Sequence, residues 1–466
     1  MVFSSPTFIF LFFPAVFLTC LLARRSVKWS NAVLLIFSLL FYAWGEPVYV
    51  LLMAFTTLVC YICARMIAKG KNVRLSTAVA VIWGIGTLVV FKYTAFLVQS
   101  FNSLTHLAVP VPQIALPVGI SFFTFQAISY VLDVKRGDAE AAASYADVLL
   151  YISLFPQLIA GPIVRYSDVA AEIKQRTVTT EDIAAGLRRF CFGMGKKVLI
   201  ANTLAYTADK VFALDGAAIN APIAWLGAVC YLMQIYFDFS GYSDMAIGLG
   251  RAFGFTFREN FMYPYCAASM QDFWRRWHIS LSTWFKEYVY IPLGGNRRGK
   301  LRTGLNKLIV FLLTGLWHGA SWNFAVWGLY HGAFLMAESY GALKPNRWPK
   351  ALRHIYTVIA VTVGFVIFRA ETLTQAWLII SKMFTGWTFD AALGAQLSLL
   401  LSPLCAAALI VSVFACMPYA SRIASRYTVN RPRFGYAVYL AAFALLIVCI
   451  ACLSTASYNP FIYFRF

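Results

Sequence analysis

Five histidines stand in this chain of 466 residues, at 106, 278, 318, 331 and 354. His318 carries the clearest chemical meaning. It lies in Leu316-Trp317-His318-Gly319-Ala320-Ser321-Trp322-Asn323, where a short apolar run over 305–318 ends. An ionisable group at membrane depth is costly, and one that is kept there points to function by default. A neutral imidazole takes a proton from a hydroxyl near neutral pH. The plainer reading is a packing histidine bonded to a nearby backbone carbonyl. His278 lies in Gln271-Asp272-Phe273-Trp274-Arg275-Arg276-Trp277-His278-Ile279-Ser280. On one helix, Asp272 and Arg276 would be i,i+4 neighbours, and so would Trp274 and His278. The ion pair would keep two charges tolerable near a membrane, and Trp274 would hold the imidazole. An interfacial anchor helix is the alternative. His331, in Tyr330-His331-Gly332, either supports the site from behind or packs in the core. His106 and His354 read as solvated.

Other groups with chemical reach are few. Tyr236-Phe237-Asp238-Phe239-Ser240-Gly241-Tyr242-Ser243-Asp244 puts two carboxylates among hydroxyls inside an apolar run. Asp238 and Asp244 do not share a helical face. Tyr236, Asp238 and Ser240 therefore line a polar path or bond one helix to another. Gly294-Gly295-Asn296-Arg297-Arg298-Gly299-Lys300 is glycine-rich and basic. It can hold phosphates through charge and backbone N–H groups, or be a plain charged turn. There is no P-loop, GxGxxG, HExxH or GxSxG pattern. Of ten cysteines, Cys60/Cys63 and Cys449/Cys452 have CxxC spacing. Both pairs sit in apolar runs without a second ligand pair, so they read as small buried hydrophobes; no metal is expected.

The elements that must position these residues are set by composition. The chain is 61% hydrophobic and only 12% charged. A soluble domain carries about 45–50% apolar and about 25% charged residues. Too few charges are present to cover a water-facing surface. A soluble enzyme, a disordered chain and an ordinary nucleic-acid-binding domain are excluded, despite the net charge of +20. The basic residues fall between apolar runs, as cytoplasmic loops of membrane proteins do, and can meet lipid headgroups.

Charge asymmetry orders the runs. A run over 7–23 has no basic segment before it and is followed by Arg24 and Arg25. It reads as a retained helix with a periplasmic N-terminus, not as a cleaved signal. Runs near 30–45, 47–64, 76–98 and 113–132 alternate between basic and uncharged loops. The piece at 146–163 breaks that alternation and contains Pro156, Gln157, Gly161 and Pro162. Such backbone must be sheltered by protein or line a wet cavity, which suggests a re-entrant segment; a kinked span is the alternative. A basic amphipathic stretch holds Lys174, Arg176, Arg188, Arg189, Lys196 and Lys197, followed by spans near 190–212 and 221–250. The segment 251–306 mixes arginines with tryptophans, as an interfacial or partly inserted helix pair would. The run at 305–318 is about 14 residues, short of the roughly 20 needed to cross, so its end falls inside the bilayer. Further runs lie near 321–340, 355–370, 395–416 and 435–455, with Arg422, Arg426, Arg431 and Arg433 inside. The expectation is a single all-α polytopic domain with about 11–12 passes and re-entrant or short helices.

Several of these segments carry a resemblance. Phe41-Tyr42-Ala43-Trp44-Gly45, Gly119-Ile120-Ser121-Phe122-Phe123-Thr124-Phe125-Gln126 and Phe155-Pro156-Gln157-Leu158-Ile159-Ala160-Gly161-Pro162-Ile163 come first. The stretches at 236–244 and 272–280 and Trp317-His318-Gly319 complete the order. Together they resemble the membrane-bound O-acyltransferase superfamily, in its alginate O-acetylase (AlgI-like) branch. The last 130 residues match only in hydropathy. The resemblance implies one membrane domain over 1–466, with core motifs in 115–335 and a helical part in 355–455, built around a central tunnel. It implies catalysis by His318, as general base, and His278. Trp317, Asn323, Trp274, Arg275, Asp272, Tyr236, Asp238, Ser240 and Gln157 become candidates for the donor site or tunnel. Arg297, Arg298 and Lys300 become candidates for CoA phosphates. The implied donor is acetyl-CoA, with no tightly bound cofactor, and the implied location is the bacterial inner membrane. The implied partner is a periplasmic SGNH-type protein that acetylates an exopolysaccharide of alginate or cellulose type, as in a biofilm matrix. Peptidoglycan acetylation is the alternative within the family, with teichoic-acid D-alanylation behind it. A polysaccharide transporter or flippase, or a structural subunit of a secretion complex, are the alternatives outside it.

Overall fold

The computed structural model describes residues 1–419, 422–423, 432–455 and 458–462, and among them there is no strand. Arg426 and Arg431 lie outside the described residues. Contacts divide the chain into two compact units, Met1–Phe190 with Ser243–Arg258, and Cys191–Tyr242 with Glu259–Phe466.

In the first unit, helices α1 (Phe13–Ala23), α2 (Val27–Ala43), α3 (Tyr49–Ala68), α4 (Val73–Leu88), α5 (Thr94–Thr105) and α6 (Ile120–Arg136) follow one another. α3, α4 and α6 pack together, and α6 buries most of its length. Gly119 starts α6 at φ +77, a left-handed conformation that suits a residue without Cβ. The piece at 146–163 is broken, as its prolines and glycine require. α7 (Tyr145–Ser153) ends at Leu154, α8 (Phe155–Leu158) is a single turn, and extended chain leads to α9 (Tyr166–Lys174). From Val148 to Val164 the piece is buried in protein. α10 (Thr180–Gly195) begins in this unit.

The second unit holds the end of α10, α11 (Asn202–Phe212) and the first two-thirds of α12 (Ala221–Ala252). It continues with α13 (Met270–Arg276), α14 (Ile279–Phe285), α15 (Gly299–His318), α16 (Trp322–Tyr340) and α17 (Lys350–Arg369). α18 (Leu373–Thr385), α19 (Ala391–Leu400), α20 (Pro403–Ala415) and α21 (Pro432–Thr455) follow. α15 and α16 form a close hairpin. A Cβ on Gly315 would lie 2.1 Å from Phe324 O, and one on Gly328 would lie 2.2 Å from Phe311 O. Small residues let the two backbones approach, as in membrane helix pairs.

By length and composition, five described helices suit a bilayer: Tyr49–Ala68, Val73–Thr105, Ala221–Ala252, Lys350–Arg369 and Gly435–Thr455. The bent pair Leu393–Leu400 and Pro403–Ala415 makes a sixth if it is one span. Other expected passes fall on shorter apolar helices, such as Phe8–Ala23 and Val27–Ala43. The run at 305–318 is not a 14-residue helix. α15 starts six residues earlier, in the basic Gly299-Lys300-Leu301-Arg302, and is 20 residues long. It still stops at His318.

Candidate active site

The described ring neighbours of His318 belong to the second unit. The imidazole is the last residue of α15 and is 8% exposed. Gly319-Ala320-Ser321 turn the chain into α16. The His318 ring packs edge-on against Trp327 at 5.3 Å and Phe368 at 5.2 Å between centroids. Trp317 lies 5.0 Å away. A small cavity of about 20 Å³, room for about one water, is lined by His318, Ile235, Phe239, Trp277, Trp327, Phe365, Phe368 and Ile462.

His278 stands 6.4 Å from His318, ring to ring, and is 1% exposed. The single helix expected over 271–280 does not form. α13 ends at Arg276, and His278 takes a left-handed φ of +43 at the start of α14. The i,i+4 pair of Asp272 and Arg276 exists, at 2.9 Å. The contact of Trp274 with His278 is replaced, because the helix stops between them. Trp274 packs on His331 at 5.1 Å instead. His278 is held by Phe239 at 4.7 Å and Trp317 at 6.0 Å. Its Nδ1 lies 3.2 Å from Asn260 Oδ1, which also accepts Ser280 N–H at 3.1 Å. An Nδ1–H that donates to Asn260 leaves the lone pair on Nε2. Burial pushes the His278 imidazole down to about 3, so it is neutral near pH 7.

His331 is buried behind this pair. Its ring contacts Trp327 at 4.9 Å, and Trp327 contacts His318. Neither of its ring nitrogens has a hydrogen-bond partner among the described residues. A Cβ on Gly364 would lie 2.5 Å from His331 Nε2, so the glycine makes room for the ring. His106 is exposed, as expected; His354 is exposed too, with Nδ1 3.0 Å from Ala267 O.

The remaining candidates divide. Tyr236 is buried and its ring lies 6.2 Å from that of Trp277, which lines the cavity. Ser240 is buried on the same helix. Asn323 donates to Ala370 O at 2.7 Å and ties the start of α16 to the end of α17. Asp272 is occupied with Arg276, and Arg275 is exposed. Gln157 belongs to the first unit, where its Nε2 donates to Tyr151 O at 2.5 Å. Arg297, Arg298 and Lys300 are exposed at the start of α15. A helix rise of about 1.5 Å per residue puts Lys300 about 27 Å from His318 along α15.

Asp238 belongs to an arrangement not expected from the sequence. Lys197, assigned to a basic amphipathic stretch, is 2% exposed and pairs with Asp238 at 2.5 Å. Lys197 also donates to Pro460 O, and Asp238 Oδ2 accepts Ile462 N–H at 2.9 Å. The pair thereby holds the segment 458–462 so that Ile462 forms a wall of the His318 cavity. The available signal was a carboxylate in an apolar run, which demands a buried partner. Asp244, on the other side of the same polar stretch, pairs with Arg189 at 2.8 Å within the first unit.

The arrangement sets two buried imidazoles side by side, and one of them, His318, lines a small aromatic cavity. The sequence profile of the membrane-bound O-acyltransferase family matches residues 40–374. The chain is 40% identical to the "Probable alginate O-acetylase AlgI" of Azotobacter vinelandii, over 100% of both chains. It is 44% identical to the protein of that name from Pseudomonas aeruginosa, over 84% of this chain and 76% of that one. It is 37% identical to a "Peptidoglycan O-acetyltransferase" of Helicobacter pylori, over 82% of this chain and 80% of that one. The chain therefore belongs to the membrane-bound O-acyltransferase family, and is a multi-pass membrane O-acyltransferase.

Proposed function

We propose that this enzyme takes acetyl groups from cytoplasmic acetyl-CoA and moves them across the bacterial inner membrane for O-acetylation of an exopolysaccharide of alginate or cellulose type. The acetyl group passes to a periplasmic SGNH-type partner. His318 is the general base. It takes the proton of the acceptor hydroxyl as that oxygen bonds to the thioester carbon. The C–S bond then breaks, and the proton returns to the sulfur of CoA. His278 orients the donor or shares the proton. The observation that carries the reading is the pair of buried imidazoles 6.4 Å apart, with His318 lining a cavity. The alginate acetylase relatives support the polysaccharide acceptor, and the Helicobacter pylori relative supports peptidoglycan as the second choice.

The test is thioester cleavage. Wild type and His318→Ala are purified in detergent and checked for a monodisperse, folded state. Free CoA is followed from acetyl-CoA in the presence of the periplasmic partner. A general base contributes about 10²–10⁴-fold, and His318→Ala should lose that much. Equal release by both proteins would remove His318 from the chemistry.

A further inference from the structure

The His318 cavity has a larger neighbour. A second cavity of about 500 Å³ lies at the end of α17, also within the second unit. Ser321, Arg369 and Glu371 give it a polar lining, and Glu371 is exposed, so it reaches the surface. Arg369 is fixed there by an ion pair with Asp209 at 2.6 Å and lies over the rings of Phe212 and Tyr231. A space of this size with this lining holds water.

Phe368 lines both cavities. Its ring lies 5.2 Å from the His318 imidazole and 5.0 Å from Phe324, which faces the larger space. The smaller cavity has room for about one water. It cannot take an acyl carbonyl and an acceptor oxygen together while its aromatic walls stand as they are. Displacing the Phe368 ring would join the two spaces at His318.

We propose that Phe368 is the partition that makes this enzyme a transferase and not a hydrolase. It keeps the water of the larger cavity away from a thioester at His318 until an acceptor hydroxyl displaces the ring. Excluding water from a reactive acyl group is an established use of a closed site. The inference rests on the acetyl-CoA reading above. When the partition is lost, the oxygen of water bonds to the acyl carbon and the C–S bond breaks. His318 carries one water proton to the leaving sulfur, and the products are acetate and CoA.

The experiment compares wild type with Phe368→Ala, Phe368→Leu and Phe368→Trp, each in nanodiscs with acetyl-CoA and no acceptor. Acetate and CoA are measured together. Base-labile acetate on cell-surface polysaccharide, in a deletion strain carrying each variant, reports transfer. Phe368→Ala should raise acceptor-independent acetate release roughly tenfold, while transfer falls. Adding His318→Ala should return release to background, and Phe368→Trp should stay at the wild-type level. If Phe368→Ala does not fold, Phe368→Leu carries the test, since it keeps bulk but loses the ring. Wild-type acetate release by the folded small variants, with transfer intact, would overturn the partition and leave the acetyl-CoA reading standing. No transfer by wild type in cells, with no CoA release by any Phe368 variant, would overturn both.

Discussion

His278 departs from helical geometry because something holds it. A residue other than glycine in the left-handed region costs on the order of 1 kcal/mol or more, and such strain collects at functional sites. Here Asn260 accepts Ser280 N–H, and its own carbonyl accepts Ile279 N–H at 3.0 Å. The result is an imidazole in a fixed orientation beside His318. The depressed value near 3 has a consequence for stability. The unfolded chain takes a proton on His278 below about 6.5, and the folded chain refuses it until about 3. Stability from this group is therefore complete above pH 6.5 and falls as the pH is lowered. Melting temperature in detergent should drop between pH 7.5 and pH 5. His278→Gln, which stays neutral, should flatten that drop; an unchanged slope would show that His278 is not the group involved.

At the scale of elements, two local rules explain the site. α15 and α16 approach closely through Gly315 and Gly328, so the residues at their junction are set by backbone contact. The polar stretch of α12 is anchored by ion pairs, one of which reaches the segment 458–462. Breaking a buried pair by removing one partner costs about 3–5 kcal/mol, while replacing both with apolar groups is often neutral. Lys197→Met should therefore lower the melting temperature sharply, and Lys197→Met with Asp238→Leu should recover most of it. Both variants should lose acyl transfer, because Ile462 is no longer held at the cavity. Full activity in the thermally recovered double variant would show that the held segment does not matter to the reaction.

Over the whole molecule, apolar helices and basic loops divide the work. The exposed Arg297, Arg298 and Lys300 cluster where α15 starts, and His318 ends it. A donor with anionic phosphates and a distant thioester suits that separation, since charge-assisted bonds to phosphate act far from the bond that breaks. Replacing all three by Gln should raise KM for acetyl-CoA about tenfold with little change in kcat. The effect should shrink at high salt, as exposed charge interactions do. A fall in kcat with KM unchanged would assign these residues another role.

Much of this protein was legible in its order of residues. The 61% hydrophobic content settles the membrane class, because apolar surface on that scale has no other solvent. The break at 146–163 follows from its prolines, and the Asp272–Arg276 pair from i,i+4 spacing. His318 at the end of an apolar run, beside a glycine, was readable for the same local reason. What the sequence could not place depends on contacts between distant residues. The stop of α13 before His278 depends on Asn260, 18 positions away. Lys197 read as one cation of a basic amphipathic stretch, and it is buried because Asp238 and Pro460 meet it from far along the chain. Periodicity reports which face of a helix is apolar. Only tertiary packing decides which polar group finds a partner there, since that partner's position is set by the whole unit and not by spacing along the chain.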